Sequence, residues 1–582
     1  MPKAQKTLLP KNRRQLFRNR LVLVCGLLGL FAIALFGKLF YLQILQYEEL
    51  LAQSEKQYQR TITIFSGRGK IYDRKYKELA ANLEVESVYA NPQEIKDKAF
   101  VAGRLSVVLN LDRGQVLRKL SSKKSFIWIK RKCDLRETAK LKQLHLTGID
   151  FISEHKRFYP RRELAASLIG FAGLDNQGLA GTEHFYDALL KGGAFRKVIK
   201  KDARGRNIRF SGKSPELTQK SSDVVLTIDN VIQFLTEHHL GQQVQKYRAK
   251  GGMAVVMNPN SGEIYAMASL PLYNPNNYAA YPAHLWKNPV VTDSFEPGSI
   301  FKPVLVAAAI EAGTAGPNDI FFCENGAYKI GETRIGEADN HQFGWLSLRK
   351  ILVKSSNIGA VKVAQKLGKN RFYEYIKKFG FGEKAGIDLP GETAGQLRDV
   401  SKWSRLSLAS ISFGQGIGIT PVQMVAALSA IANGGNLMRP HLTKSFRRNG
   451  ETIQTFEPFV LKRVISANTS RQMVEILKEV VKSGTGTQAA IPGYEVAGKT
   501  GTAQKFDTQT QAYSKTAFTS SFAGFVPADS PQLAILVTID EPKNVYWGSV
   551  VAAPVFREIA KQALRYLNVP SNEERVFILN KA

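Results

Sequence analysis

Residues 21–37, LVLVCGLLGLFAIALFG, run for seventeen positions without a charge, and this stretch constrains the chain more than any other. A helix of that length just crosses the hydrocarbon core of a bilayer. Lys38 can snorkel to the interface while Phe40 and Tyr41 sit among the headgroups, so a transmembrane helix is expected over 21–45. Upstream, Met1 to Arg20 carry seven basic residues and no acid. That charge holds residues 1–20 in the cytoplasm as a basic tail and exports everything beyond about residue 45. A cleaved signal peptide is the competing reading, because Ala32 and Ala34 form an A-x-A. That site lies inside the apolar run with no polar segment before it, so an uncleaved anchor is expected.

The 582 residues carry a formal charge of +32, and its location decides its meaning. The tail holds +7, and residues 101–220 hold 26 basic against 11 acidic side chains. No zinc finger, basic zipper or RNA-recognition pattern accompanies them, so the charge is read as a solvated face near an anionic surface, with no nucleic-acid partner. Cys25, Cys133 and Cys323 are too few and too scattered for a disulfide framework. The histidines are equally scattered and read as structural. With 44% hydrophobic residues, no internal repeat and no low-complexity tract, the chain is expected to fold into two or three domains.

After the span, LFYLQILQYEELLAQSEKQYQR reads as a helical stalk and TITIFSGRGKIYDRKYKELA as extended chain. Residues 46–222 mix short strands and helices but offer no nucleophile, metal cluster or paired carboxylates. They are expected to form a non-catalytic pedestal. At DVVLTID, residues 223–229, an apolar strand leads into a helical segment and opens a domain expected to reach residue 582. GGMAVVMNPNSGEIYAMAS holds two β-rich runs about a turn. In TPVQMVAALSAIANGG, Thr420 is placed to cap a helix, Pro421 to begin it and Gly434 to end it. YEVAGKTGTAQK, FTSSFAGFVP and QLAILVTID follow as strands, and APVFREIAKQALRYL closes as a helix. Strands at both ends with helices between them predict an α+β fold, one antiparallel sheet covered by helices.

Within that domain, FEPGSIFKPVLVAAA puts Ser299 three positions before Lys302, with Pro303 directly behind. Proline clashes with the carbonyl four residues back in a helix interior, so a helix must begin near Ser299. Positions i and i+3 share a face, which lets the Lys302 amine approach the Ser299 hydroxyl. The Ser299 backbone N–H lies among the unpaired donors of a first turn, where it can stabilise an oxyanion. Lysine is a base only when neutral, and moving its pKa from about 10.4 to near 7 costs ~4–5 kcal/mol. A helix terminus supplies about 1 kcal/mol of that, so burial and a second cation must do the rest. KSSNIGAVKVAQKLG adds Ser355 and Asn357 on a turn before a helical run. YEVAGKTGTAQK adds Lys499, Thr500, Gly501 and Thr502. On a strand the two threonines face one side, Gly501 admits close backbone approach, and the edge can accept an extended peptide. Lys499 is the expected second cation.

Each motif also has a bland reading as a helix cap, and decoys exist: Ser121 with Lys124, and Ser466 with Asn468. Residues 493–500, GYEVAGKT, even fit a phosphate loop, with Asp540 and Glu541 ending a later strand. A phosphate loop needs a helix directly after its lysine. GTAQKFDTQTQAYS has no helical period, so a strand is expected there.

S-x-x-K, S-x-N and K-T-G in this order form the set shared by penicillin-binding proteins and class A β-lactamases. Together with RGKIYDRKYKELA (68–80), RFYPRRELAASLIGFAG, GLAGTEHFYDALLKG, KDARGR, FGFGEKAGIDLPGE, SFGQGIGITPVQM and YWGSVVAAPVF, they make the chain resemble the class B penicillin-binding proteins, and among these the cell-division (septal) type. The resemblance runs from the membrane span nearly to the last residue. It implies a transpeptidase domain of serine β-lactamase-like fold on an elongated, dimerisation-like pedestal, anchored in a bacterial cytoplasmic (inner) membrane. It further implies that Ser299 attacks the carbonyl between the two terminal D-alanines of a peptidoglycan stem peptide, with Lys302 as base and Ser355 as proton relay. Asn357 would hold the substrate amide and Lys499 support the field. Thr500 and Thr502, either side of Gly501, would bind the substrate carboxylate, and the N–H groups of Ser299 and Thr502 would form the oxyanion hole. An amine from a neighbouring stem peptide then takes the acyl group, without metal or cofactor, and β-lactams trap Ser299. A membrane glycosyltransferase and other division proteins are the implied partners.

Two departures stand out. The middle motif is S-S-N, which fits a transpeptidase better than a class A β-lactamase. In the pedestal motif, Lys75 and Tyr76 replace the usual Asn-Gly turn. The rival readings are a side-wall transpeptidase, a penicillin-hydrolysing enzyme and a penicillin sensor. The anchor, the large pedestal and the family signatures weigh against hydrolysis. Sensors usually carry several spans and a zinc protease, and neither is visible here.

Overall fold

A helix from Lys11 to Phe40 continues through a π turn, Tyr41–Leu45, into a second helix, Tyr47–Tyr58. The computed structural model describes residues 11–65, 67–192, 194–201, 207–208, 221–507, 509–572 and 574; for 11–14, 54–65, 194–201 and 207–208 it describes the backbone course alone. The first ten residues and nearly all of KDARGR lie outside the described residues. From Gln15 to Leu45 the helix is apolar, long enough to cross a membrane, and buried against none of the described residues. Its Leu, Val, Ile and Phe side chains face outward, which suits hydrocarbon and not water.

Beyond the stalk, the strand Glu78–Ala90 pairs antiparallel with Ile149–Phe158 over ten residues and with Ile127–Lys130 on its other side. Three helices, Lys98–Leu109, Arg113–Leu120 and Leu135–Gln143, bury Val101, Leu105, Leu109, Val116, Leu120 and Leu141 in a shared core with this sheet. Cys133 is buried in the same core. Asp97 and Asp112 start the first two helices by accepting from Phe100 N–H and Gln115 N–H, and Asp134 starts the third with Glu137 in a capping box.

The pedestal and the following domain share a sheet. Ile71–Tyr72 pairs parallel with Asp223–Leu226, which pairs antiparallel with Thr443–Arg448. The boundary expected between 222 and 223 therefore falls at a strand stitched to both sides. The Lys75-Tyr76 turn keeps a left-handed residue, with Tyr76 at φ +61°. Asp73 Oδ1 closes it by accepting from the N–H groups of Lys75 and Lys77, each at 2.8 Å.

Downstream lies a five-stranded antiparallel sheet in the order Ile264–Leu270, Gly251–Met257, Leu533–Asp540, Ala512–Val526, Ala497–Asp507. Helices cover both faces, so Leu533–Asp540 splits by the two-residue period. Ile535, Val537 and Ile539 pack with the helices Asn230–Lys246 and Ala553–Tyr566, while Ala534 and Leu536 join the core around Lys302–Glu311 and Pro421–Ala432. Pro421–Ala432 is buried along its whole length, which explains why it is apolar all round. Thr420 caps it in a box with Gln423, and Gly434 follows at φ +85°. The fold is α+β, as the order of elements predicted. It leaves Ala497–Asp507, the K-T-G strand, at one edge of the sheet.

Candidate active site

Ser299 lies in a single 3-10 turn, Gly298–Phe301, that runs straight into the helix Lys302–Glu311 with Pro303 in its first turn. The tight turn forms because Gly298 adopts φ +56° and donates its N–H to Gly414 O at 3.0 Å. A Cβ on Gly414 would lie 2.1 Å from Gly298 O, so glycine is required on both sides of that contact. Ser299 itself is half-buried, with access to solvent. Its N–H is an early donor of the turn, which the turn's own carbonyls cannot satisfy.

Lys302 is fully buried. Its Nζ lies 2.7 Å from Ser355 O and 2.8 Å from Asn357 Oδ1, with Ser355 Oγ at 3.4 Å. Among the described residues no hydrogen bond joins it to the Ser299 hydroxyl, so the direct serine–lysine contact expected from i, i+3 spacing is not the one made. The long, flexible amine is drawn instead to two carbonyl oxygens. This geometry has a chemical consequence: a neutral amine owns two N–H donors and one lone pair, and the two carbonyl oxygens occupy both donors. The lone pair is left for a hydroxyl. Burial pushes the Lys302 pKa down to about 7, with the Glu337 carboxylate acting in the opposite direction.

Ser355 ends the helix Leu348–Lys354 in the left-handed region, φ +61° and ψ +35°. That conformation, unfavourable for serine by about 1–2 kcal/mol, aims its carbonyl at Lys302. Ser356 then caps the helix Asn357–Leu367 by accepting from Gly359 N–H. Asn357 is therefore the first residue of that helix, its amide oxygen turned toward the buried amine.

Lys499, also fully buried, sits on the edge strand; its pKa is held well below the usual lysine value, first by burial and then by repulsion from Lys302. The expected second cation is thus within electrostatic reach, though burial is the main cause for both amines. Lys499 Nζ donates to Thr500 O at 3.0 Å, and Thr500 Oγ1 donates to Thr485 Oγ1 at 2.7 Å. Thr502 Oγ1 accepts from Gly548 N–H at 3.0 Å. A Cβ on Gly501 would meet Ile300 Cγ2 at 2.9 Å and Pro297 O at 3.0 Å. The backbone that Gly501 admits is therefore the protein's own Ser299 turn. Among the described residues no group of three or more His, Cys, Asp or Glu could hold a metal ion.

The decoys separate cleanly. Ser466 caps the helix Ala467–Ser483, and Ser121 ends the helix Arg113–Leu120. Lys499 continues in a strand to Asp507, not in a helix, so residues 493–500 do not form a phosphate loop. Three residues escaped the sequence reading: Glu337, Thr485 and Glu296. Glu296 Oε1 accepts from Gly416 N–H at 2.8 Å and from Tyr513 Oη at 3.1 Å, tying the segment before Ser299 to the Gly416 loop and to the strand Ala512–Val526. Its place three residues before Ser299 was a usable signal; Glu337 and Thr485 stand in polar stretches without one.

Residues 252–561 match the penicillin binding protein transpeptidase domain, and residues 63–226 the penicillin-binding protein dimerisation domain. The chain is 31% identical to the peptidoglycan D,D-transpeptidase FtsI of Escherichia coli, over 100% of this chain and 99% of that one. It is 34% identical to the stage V sporulation protein D of Bacillus subtilis, over 93% of this chain and 84% of the relative. The crystal structure of penicillin-binding protein 3 from Mycobacterium tuberculosis, complexed with aztreonam, aligns with a TM-score of 0.68 and 28% identity, covering 88% of this chain and 98% of that one. The chain belongs to the penicillin-binding proteins and is a serine-type D,D-transpeptidase. Within them it is a class B, FtsI-like member, in which a dimerisation domain precedes the transpeptidase domain.

Proposed function

We propose that the enzyme cross-links peptidoglycan stem peptides through an acyl-enzyme on Ser299, and that it does so in septal wall synthesis. Residues 46–222 serve as the pedestal and 223–582 as the transpeptidase domain. The observation that carries the chemistry is the buried Lys302 amine, its two N–H donors held by Ser355 O and Asn357 Oδ1. In its neutral form it takes the Ser299 proton, directly or through the Ser355 hydroxyl, as Ser299 Oγ adds to the penultimate D-alanine carbonyl. The oxyanion is received by the N–H groups of Ser299 and Thr502. The donor peptide lies along the free edge of Ala497–Asp507, with its carboxylate on Thr500 and Thr502 and its amide on Asn357. Lys499 adds positive potential behind the carboxylate. The proton returns to the departing D-alanine amine, and the amine of an acceptor peptide then displaces Ser299 Oγ.

The basic tail supports a cytoplasmic N-terminus, with the catalytic domain outside the membrane. A membrane glycosyltransferase would supply the glycan strands, alongside other division proteins. Similarity to FtsI along the whole chain supports the septal role. Mass spectrometry of the fluorescent-penicillin adduct should find the acyl group on Ser299, and Ser299→Ala should remain unlabelled. Labelling elsewhere, or rapid turnover of penicillin, would refute the acyl-transfer reading. Depletion should give filaments; swollen, rounded cells would assign the enzyme to the side wall.

A further inference from the structure

Behind the catalytic turn lies a carboxylate that the steps above leave without a role. Glu337 follows the strand Thr333–Gly336 and is buried. Its Oε1 accepts from Ser356 Oγ at 2.5 Å, and its Oε2 accepts from Asn357 N–H at 2.6 Å. One residue earlier, Gly336 O accepts from Asn357 Nδ2 at 3.2 Å. The second and third residues of S-S-N are thus tied to one carboxylate, while the first is held left-handed with its carbonyl on Lys302. Short bonds to an ionised acceptor are the strong class of hydrogen bond, and such bonds are what keep an unfavourable backbone conformation in place.

We propose that Glu337 is a positioning residue of the acylation centre, whose carboxylate locks the Ser355–Asn357 turn and sets a negative charge near the buried Lys302. The proposal rests on the Ser299–Lys302 reading above. Five other ionisable groups bear on this charge. Lys302 faces it from the nucleophile helix, and Lys499, on the sheet edge, acts through Lys302. Cys323 Sγ lies 3.6 Å from Ser356 Oγ. Lys362 and Glu324, which both act on Cys323, pair with each other at 2.6 Å and largely cancel. Lys302 is therefore the cation that the Glu337 charge chiefly serves. Without that charge, burial alone would leave the amine neutral over a wider pH range but a weaker base.

Glu337→Gln separates charge from scaffold. Its amide oxygen can still accept from Asn357 N–H, and its NH2 can donate to Ser356 Oγ, so the turn survives while the charge is lost. The readout is the pH dependence of Ser299 acylation by fluorescent penicillin in the full-length, detergent-solubilised protein. The acid limb should move down by about 1 pH unit, and the plateau rate should fall about 3–10-fold. Ser356→Ala keeps the charge and loses the hydroxyl's bond to Glu337 together with its cap on Gly359 N–H: its rate should fall at every pH with the acid limb unmoved. A Glu337→Gln profile superimposable on wild type, or a limb shifted equally by Ser356→Ala, overturns the proposal. If Glu337→Gln does not fold, an unchanged rate in Ser356→Ala overturns it instead. A wild-type protein without an adduct on Ser299 would defeat the catalytic reading before any variant is made, so the two failures are distinguishable.

Discussion

Lys302 shows at the scale of one residue what burying an amine costs the fold. In the unfolded chain its amine titrates near 10.4, and in the native state near 7. Above the unfolded value neither state binds the proton, and stability is unaffected. As the pH falls from 10.4 to 7 only the unfolded chain gains a proton, so stability drops across that window and levels off below it. The deficit at pH 7 is on the order of 4–5 kcal/mol. Lys302→Met, of similar length and without a charge, should abolish penicillin acylation and raise the melting temperature. In calorimetry the gain over wild type should be larger at pH 7 than at pH 10; an equal gain at both would mean that the buried amine stays charged. The Ser299–Lys302 spacing was legible because it is local. The carbonyls that occupy the amine were not, being supplied by Ser355 and Asn357 from a separate helix junction.

Among elements, the decisive contact is between the Ser299 turn and the edge strand. Ser121 and Ser466 carry the same short motifs but spend themselves on helix ends, Ser466 by capping Thr469 N–H. Ser299 lies inside the turn Gly298–Phe301 and not at a cap position, which leaves its hydroxyl available. Gly501 and Gly298 let the turn seat against Ala497–Asp507, where a Cβ at Gly501 would press on Ile300 and Pro297 O. Gly501→Ala should therefore push the strand off the turn and slow Ser299 acylation by ~10–100-fold, since small misplacements of reacting groups cost that much. Stopped-flow acylation with penicillin measures it, and a rate within twofold of wild type would show that the contact yields freely. The sequence predicts that Gly501 admits a neighbouring backbone without saying whose. A glycine reveals that something comes close, and not what.

For the whole molecule, the contacts inside the pedestal and those from it to the following domain differ in strength. Arg68 is buried with Glu183, and its guanidinium also reaches Asp187 at 2.6 Å and Asn176 O at 2.8 Å. Lys75 Nζ reaches Tyr566 Oη at 2.6 Å across the domains but is half-exposed. Removing one partner of a buried pair costs about 3–5 kcal/mol, whereas an exposed contact is worth about 0–1 kcal/mol. In denaturant titration Arg68→Ala should destabilise the protein by the larger amount and Lys75→Ala by the smaller; equal effects would show that the buried cluster inside the pedestal is worth no more than the exposed contact between domains. By itself the sequence determined the apolar span, the strand and helix periods, the three motifs and the α+β order, because each follows from interactions among residues a few positions apart. Only the tertiary structure decided that Glu337 stands behind Ser356 and Asn357, that Thr485 meets Thr500, and that Asp223–Leu226 joins both domains. Those contacts are made by burial and charge between segments far apart in the chain, where no local period records them.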